Sequence, residues 1–321
     1  MSEPRRVLLA SPRMQRVAEK IIAAAGGEIT LQNIDWLRFP DRFQNTFVQQ
    51  AEALRNCDVS LLSCMDAPER VFEEWSVMDT VANIGPKAFR IFLPYFPTGT
   101  MERIDEEGQV PTASTLADLM SALPPAGPGP IKLYMMDLHA LAIRHYFNKH
   151  TICVVPKSGM KLLKARLEEE AKRSGKPLAI CFPDEGAWKR FKRFFLDEKG
   201  EQLFPFIVCR KIRRQGQKPI VTVSEGDPRG YHVVIVDDLI HSGGTTLECK
   251  DALFEGGAAE VSASVTHAVM ENDGWKRFIN VGFTYVWITD SCPETADKVE
   301  GIGQYEVFSF ANNIARYILT A

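Results

Sequence analysis

Four apolar residues, Val233-Val234-Ile235-Val236, run directly into the carboxylates Asp237-Asp238, and Leu239-Ile240-His241 then lead to Ser242-Gly243-Gly244-Thr245-Thr246. A short run that is apolar at every position predicts a strand buried on both faces. Such strands belong to parallel sheets covered by helices on either side. The Gly-Gly pair predicts a tight turn, and residues 246–254, closed by Gly256-Gly257, predict the helix that follows it. One such strand–turn–helix unit already points the chain to an α/β architecture.

The same rhythm runs along most of the sequence. Strands are predicted at 7–10, 59–62, 88–94, 131–136, 152–155, 178–182, 206–208, 220–223, 261–266 and 285–289. A helix is predicted after Pro12, with Met14, Val17, Ile21 and Ile22 on one face. Others are predicted at 69–82, with Val71, Phe72, Trp75, Met78 and Val81 on the apolar side, at 159–173, and at 311–319. A length of 321 residues suits two domains. The two halves are alike in layout, since each has an apolar strand that ends on an acid: Met136-Asp137-Leu138-His139 and Val236-Asp237-Asp238-Leu239. In open α/β sheets ligands bind at such strand ends.

Composition removes several classes of function. With 38 Lys+Arg against 41 Asp+Glu the net charge is -3, which argues against a nucleic-acid or membrane-surface partner. No run nears the ~18 apolar residues of a membrane span, and the apolar start at 7–10 is too short for a signal peptide. The seven cysteines form no Cys-x-x-Cys pair and predict reduced, mostly buried thiols in a cytoplasmic protein. There is no His-Glu-x-x-His, no Walker A sequence and no dinucleotide fingerprint.

The chemistry concentrates where the sequence turns. Adjacent carboxylates suit the vicinal hydroxyls of a ribose. A Ser-Gly-Gly-Thr-Thr turn can aim several backbone N–H groups at one phosphate, aided by the helix N-terminus behind it. The plain alternative is a strand–turn–helix with Thr246 as the cap and solvated aspartates. His139 by itself suits a satisfied half-buried histidine. Asp184 by itself suits an Asp/Gly turn before a basic helix, and the basic segment 210–218 suits a solvated hairpin.

These segments together resemble the ribose-phosphate diphosphokinases, the synthetases of 5-phosphoribosyl 1-diphosphate (PRPP). Residues 237–246 resemble the family's PRPP-binding signature, although His241 stands where an acid is common. Asp137-Leu138-His139-Ala140 resembles the segment whose histidine helps bind Mg–ATP. Pro183-Asp184-Glu185-Gly186 through Arg190 resembles the segment whose aspartate binds metal. Lys211 and Arg213 resemble the Lys-x-Arg pair of the catalytic flexible loop. Phe96-Pro97-Thr98-Gly99-Thr100 is similar to the divergent, plant-type class and departs from the common form, whose ATP-contacting arginine falls on Thr100. Trp188-Lys189-Arg190-Phe191 and residues 287–292 also look like that class, so the resemblance runs from about Phe39 onward.

The resemblance implies two phosphoribosyltransferase-like domains, 1–152 with a returning helix 310–321, and 153–309, with the active site between them. It implies Lys211 and Arg213 as catalytic. Asp237, Asp238, Ser242, Gly243, Gly244 and Thr245 would bind ribose 5-phosphate. Phe39, Asp41, Thr100, Arg103 and His139 would bind ATP, and His139 and Asp184 would hold Mg²⁺. The implied reaction moves the diphosphoryl group of ATP to O1 of ribose 5-phosphate in a dimer-based homo-oligomer, often a hexamer. Three other readings stay open: a nucleobase phosphoribosyltransferase, a non-catalytic associated subunit, and a regulator built on the same fold.

Overall fold

Each predicted apolar run becomes a strand, and intervening helices return the chain so that most strands join in parallel. The computed structural model describes residues 5–212 and 220–320. The chain forms two units: one runs to Lys157 and takes back the segment from Ser309, and the other is Ser158–Phe308.

The first unit contains β1 (Arg6–Ala10), α1 (Gln15–Ala24), β2 (Ile29–Leu31), β3 (Ile34–Arg38), β4 (Gln44–Val48), β5 (Asp58–Leu62), α2 (Pro68–Ile84), β6 (Ala88–Phe92), α3 (Thr112–Ser121), β7 (Ile131–Met136) and β8 (Ile152–Lys157). Its six-stranded sheet has the order β2-β1-β5-β6-β7-β8, and every pair is parallel. Strand β8, which the sequence rhythm groups with the second half, pairs with β7 from Ile131↔Ile152 to Met136↔Lys157. The first unit therefore ends five residues later than the 152/153 division, because this strand completes its sheet.

Strands β3 and β4 form a separate antiparallel hairpin. Ile34 and Val48 at its open end are buried and Trp36 packs against the core, while Leu37 and Phe47 are exposed, as are Phe39 and Phe43 of the turn. Helix α2 departs from expectation. Phe72 is 51% exposed, while the neighbouring carboxylates Glu73 and Glu74 are buried. They face inward because they have partners. Glu74 accepts from the Ser63 hydroxyl and from the backbone N–H of Cys64 (2.9 Å) and Met65 (3.3 Å), and Glu73 meets Arg38 at 3.2 Å. Burial still pushes the Glu74 carboxyl up.

The second unit contains α4 (Met160–Ser174), β9 (Leu178–Phe182), α5 (Glu185–Phe191), β10 (Phe206–Ile212), β11 (Ile220–Glu225), β12 (His232–Ile240), α6 (Gly244–Glu255), β13 (Glu260–Ala268), β14 (Phe283–Thr289), α7 (Pro293–Val299) and β15 (Tyr305–Phe308). The sheet order is β11-β10-β9-β12-β13-β14-β15. All pairs are parallel except β10–β11, an antiparallel hairpin. Alternate side chains feed two cores. Cys181, Cys209, Val233 and Ile235 join one with Cys249 and Leu253 of α6. Ile180, Phe182, Val234, Val236 and Trp287 join the other, with Leu163 of α4 and Phe191 of α5.

Helix α8 (Ala311–Leu319) returns to the first unit. It buries Ala311, Ile314, Ala315 and Ile318 and packs on α1. Tyr317 stacks on Tyr134 of β7 with ring centres 5.8 Å apart.

Candidate active site

In the second unit the site grows from the end of β12. The strand continues through Asp237 and Asp238 to Ile240, beyond the apolar run. Strand alternation sends Asp237 toward the face of Val233 and Ile235, and Asp238 toward the face of Val234 and Val236. On the latter face Arg190 of α5 places its guanidinium 2.7 Å from Asp238 Oδ1 and 3.7 Å from Asp237 Oδ1. One cation thus faces two carboxylates. Asp237 Oδ1 also accepts the backbone N–H of Asp238 at 2.9 Å. Burial pushes the Asp237 carboxyl well up, and the negative charges of Asp238 and Asp184 add to the effect while Arg190 opposes it.

The turn after β12 is built for close approach. Gly243 has φ 77, a conformation that favours glycine, and a Cβ there would lie 2.5 Å from the Phe278 ring. Both its conformation and the space around it therefore call for glycine. Arg277 donates to the Ser242 carbonyl and ties the turn to the following core. Helix α6 starts at Gly244, with Gly243 in the cap position, three residues before the Thr246 cap of the plain strand–turn–helix alternative. Gly244, Thr245 and Thr246 form the first turn, whose N–H groups have no partner within the helix and point toward any anion there.

Two further predicted residues flank this turn. Lys211 lies on β10, opposite Val221 of β11, with its Nζ 3.7 Å from Glu248 Oε2 on α6. Asp184 caps α5, its Oδ1 accepting the Ala187 N–H at 2.8 Å. The plain turn role is thus real, and it coexists with a charge that reaches Asp237. Arg213 lies outside the described residues. Arg190, which appears in the sequence motif but carried no assigned role, is the residue the sequence reasoning missed. Its signal was the arginine six positions after Asp184.

The first unit carries the other predicted set. Strand β7 ends at Met136, and Asp137 follows with φ 32. Its N–H donates to the Lys157 carbonyl at 2.9 Å. Aspartate is among the few non-glycine residues that adopt a positive φ readily, and it marks a tight turn here. His139 lies two residues on, and the loop at Gly99 closes on it: a Cβ at Gly99 would be 3.8 Å from His139 Cβ and 3.2 Å from the Phe96 carbonyl. The structure therefore brings the Phe96–Thr100 loop and His139 together. Thr100 is exposed, and Arg103 forms an exposed ion pair with Asp105 at 3.3 Å. Phe39 and Asp41 sit apart on the β3–β4 turn, where Asp41 Oδ1 accepts the Phe43 N–H at 3.1 Å.

Hard oxygen ligands suit Mg²⁺, which takes few protein ligands and keeps water and phosphate around it. The Asp237 region fits such a cation. Its carboxylates outnumber the one guanidinium bridging them, and burial first, then the charge of Asp238, raises Asp237.

A parallel sheet with paired carboxylates at one strand end and a glycine turn opening a helix is an arrangement able to receive a sugar phosphate. A family profile described as the phosphoribosyl transferase domain matches residues 201–292. The chain is 42% identical over 309 residues to a rice (Oryza sativa subsp. japonica) protein named ribose-phosphate pyrophosphokinase 3, chloroplastic, covering 94% of this chain and 73% of that one. It is 42% identical over 311 residues to ribose-phosphate pyrophosphokinase 3, mitochondrial, of Spinacia oleracea, covering 95% and 74%. The chain belongs to the ribose-phosphate pyrophosphokinase family, and these relatives are plant members of it. The crystal structure of phosphoribosylpyrophosphate synthetase from Mycobacterium smegmatis shares the fold, with a TM-score of 0.80, 22% identity and 98% of each chain covered.

Proposed function

We propose that the chain transfers the diphosphoryl group of ATP to O1 of ribose 5-phosphate, giving PRPP and AMP. The observation that carries this reading is the Arg190-bridged Asp237–Asp238 pair standing next to the Gly243 turn and the start of α6. The carboxylates would accept hydrogen bonds from the ribose hydroxyls. The backbone of Ser242, Gly243, Gly244 and Thr245 would hold the 5-phosphate. With both ends of the sugar fixed, O1 is oriented for attack on the β-phosphorus of ATP, so rate comes from positioning and charge neutralisation.

Lys211 and Arg213 would approach the phosphoryl oxygens as charge spreads over them and exclude water from the reacting groups. The Lys211–Glu248 contact leaves both side chains partly exposed, so the ammonium can exchange partners at low cost. On the nucleotide side we assign His139, Thr100 and Arg103, together with Phe39 and Asp41 of the hairpin. Asp184 in the second unit and His139 in the first are the donors we assign to Mg²⁺, each on its own side, where the cation would offset phosphate charge.

The decisive experiment is ³¹P NMR of the protein with Mg²⁺, ATP and ribose 5-phosphate in phosphate-free buffer. PRPP should appear with an equal amount of AMP. If neither appears, even with phosphate added and other nucleotides supplied, the catalytic reading is wrong and a non-catalytic subunit or a base-dependent phosphoribosyltransferase takes its place.

We further propose a homo-oligomer built on dimers. The exposed Leu37, Phe39, Phe43 and Phe47 of the β3–β4 hairpin support it, because neighbouring large apolar side chains on a surface suit burial against a second copy. Phe43→Asp should lower the mass measured by light scattering to that of a smaller assembly, with an unchanged circular dichroism spectrum. An unchanged mass would remove the hairpin from the interface. The seven cysteines are all thiols, which suits a reducing compartment. Among the described residues no helix is long and apolar enough to cross a membrane.

A further inference from the structure

Three cysteines far apart in sequence converge beneath the phosphate turn. Cys181 lies on β9, Cys209 on β10 and Cys249 on α6. Their sulfurs are 3.7 Å (Cys181–Cys209), 3.7 Å (Cys181–Cys249) and 3.3 Å (Cys249–Cys209) apart. Among the described residues this is the one group of three or more His, Cys, Asp or Glu side chains whose ligand atoms converge closely enough to share an ion. All three are buried in the core facing α6.

We propose that Cys181, Cys209 and Cys249 form a trithiolate site for a thiophilic divalent cation of the zinc class. A metal–sulfur length of about 2.3 Å in a tetrahedral shell sets neighbouring sulfurs about 3.8 Å apart. The observed triangle is therefore within a small adjustment of three vertices of that shell. Binding exchanges three thiol protons for one cation, with no change of oxidation state, and leaves one net negative charge on the cluster. Thiolate donors select zinc-like ions over Mg²⁺, so this site does not compete for the cation that the proposed phosphate chemistry uses.

The location gives the site a consequence. Cys181 is three residues before Asp184, Cys209 is two before Lys211, and Cys249 is on the second turn of the helix that opens at Gly244. An ion here would tie together the three elements that deliver the metal-side aspartate, the catalytic lysine and the phosphate turn. Their separation in sequence hides this arrangement, which appears only when β9 pairs with β10 and α6 packs across them.

The test uses the full chain, reduced and freed of metal, titrated with Co²⁺ without oxygen. A near-ultraviolet thiolate-to-cobalt charge-transfer band should grow to saturation at one equivalent and disappear when Zn²⁺ is added. It should be lost in Cys249→Ser and kept in Cys153→Ser, whose cysteine is exposed in the other unit. To avoid depending on a variant that fails to fold, Cd²⁺-loaded wild type is treated with an alkylating agent in mild denaturant and its peptides are mapped. Protection should fall on Cys181, Cys209 and Cys249 together. Absence of the band in a protein whose seven thiols all titrate as reduced, or a band that survives Cys249→Ser, overturns the proposal. So does protection that spares any one of the three, as expected for thiols packed only as small apolar groups. Each readout requires sulfur ligation and none requires PRPP formation, so failure here is separate from failure of the proposed activity.

Discussion

Lys211→Ala should lower turnover about 10²–10³-fold, the usual cost of deleting a group aimed at transition-state charge, while affinity for ribose 5-phosphate stays nearly the same. Lys211 lies on the exposed end of β10, and its ammonium pairs with the partly exposed Glu248. A pair of this kind contributes little to stability, so the fold should survive the substitution. The sugar phosphate is assigned to other groups, Asp237, Asp238 and the turn before α6. The effect should therefore fall on kcat, with the binding constant from calorimetry unmoved. Equal losses in turnover and in ribose 5-phosphate binding would remove the transition-state role and leave Lys211 as a binding group.

Asp237→Asn should give two opposite effects: PRPP formation falls at least about 10²-fold, and the protein becomes harder to unfold at neutral pH. The first follows from the loss of an ionised acceptor for the ribose hydroxyls and of charge near the metal. The second follows from the raised carboxyl. The fold disfavours the ionised form through burial first, then through Asp238 and Asp184. A carboxyl whose folded value lies above its unfolded value stabilises the protein below the ordinary carboxylate range. That contribution is lost as pH climbs through the raised value. The amide carries no charge to bury, and it leaves Arg190 paired with Asp238 at 2.7 Å. The variant's advantage should grow from about pH 4 toward neutrality and disappear in acid. Each kcal/mol of relief corresponds to about 2–4 °C in the unfolding midpoint of a unit this size. Thermal melts of both proteins across that range provide the check. A variant less stable at pH 7 would show that the Asp237 charge is held favourably, contrary to the electrostatics described.

Much of this site was legible because it lies where periodicity breaks. The apolar run of β12 ends on Asp237-Asp238, the glycine pair sits before α6, and Lys211 continues a strand into a basic segment. Each is a local pattern with a local cause. The features that escaped are those set by tertiary neighbours. The hairpin β3–β4 buries Ile34 and Val48 but exposes Leu37 and Phe47, so large apolar residues stand on both of its faces and blur the alternation against the core. Glu73 and Glu74 turn inward while Phe72 turns outward, against the helical pattern, because Ser63, two backbone N–H groups and Arg38 wait on the inner side. Strand β8 joined the first sheet because pairing with β7 decided its place. Arg190 gained a meaning only when α5 brought it to Asp238. The three converging cysteines carry no sequence spacing that distinguishes them from ordinary buried thiols.

The return of α8 to the first unit has a consequence for how the chain acquires its structure during synthesis. Everything from Ser158 to Phe308 is an insertion between β8 and α8. The inserted unit has all its strands in hand and can close while still near the ribosome. The first unit cannot, since the apolar face that receives Ile314, Ala315 and Ile318 stays bare until α8 has emerged. The earlier-made half is thus the later-finished one, reversing the N-terminal-first order usual for chains of several domains. During that interval its uncovered α1 surface is what a chaperone would bind, and damage to α8 should appear first as poor yield of newly made protein.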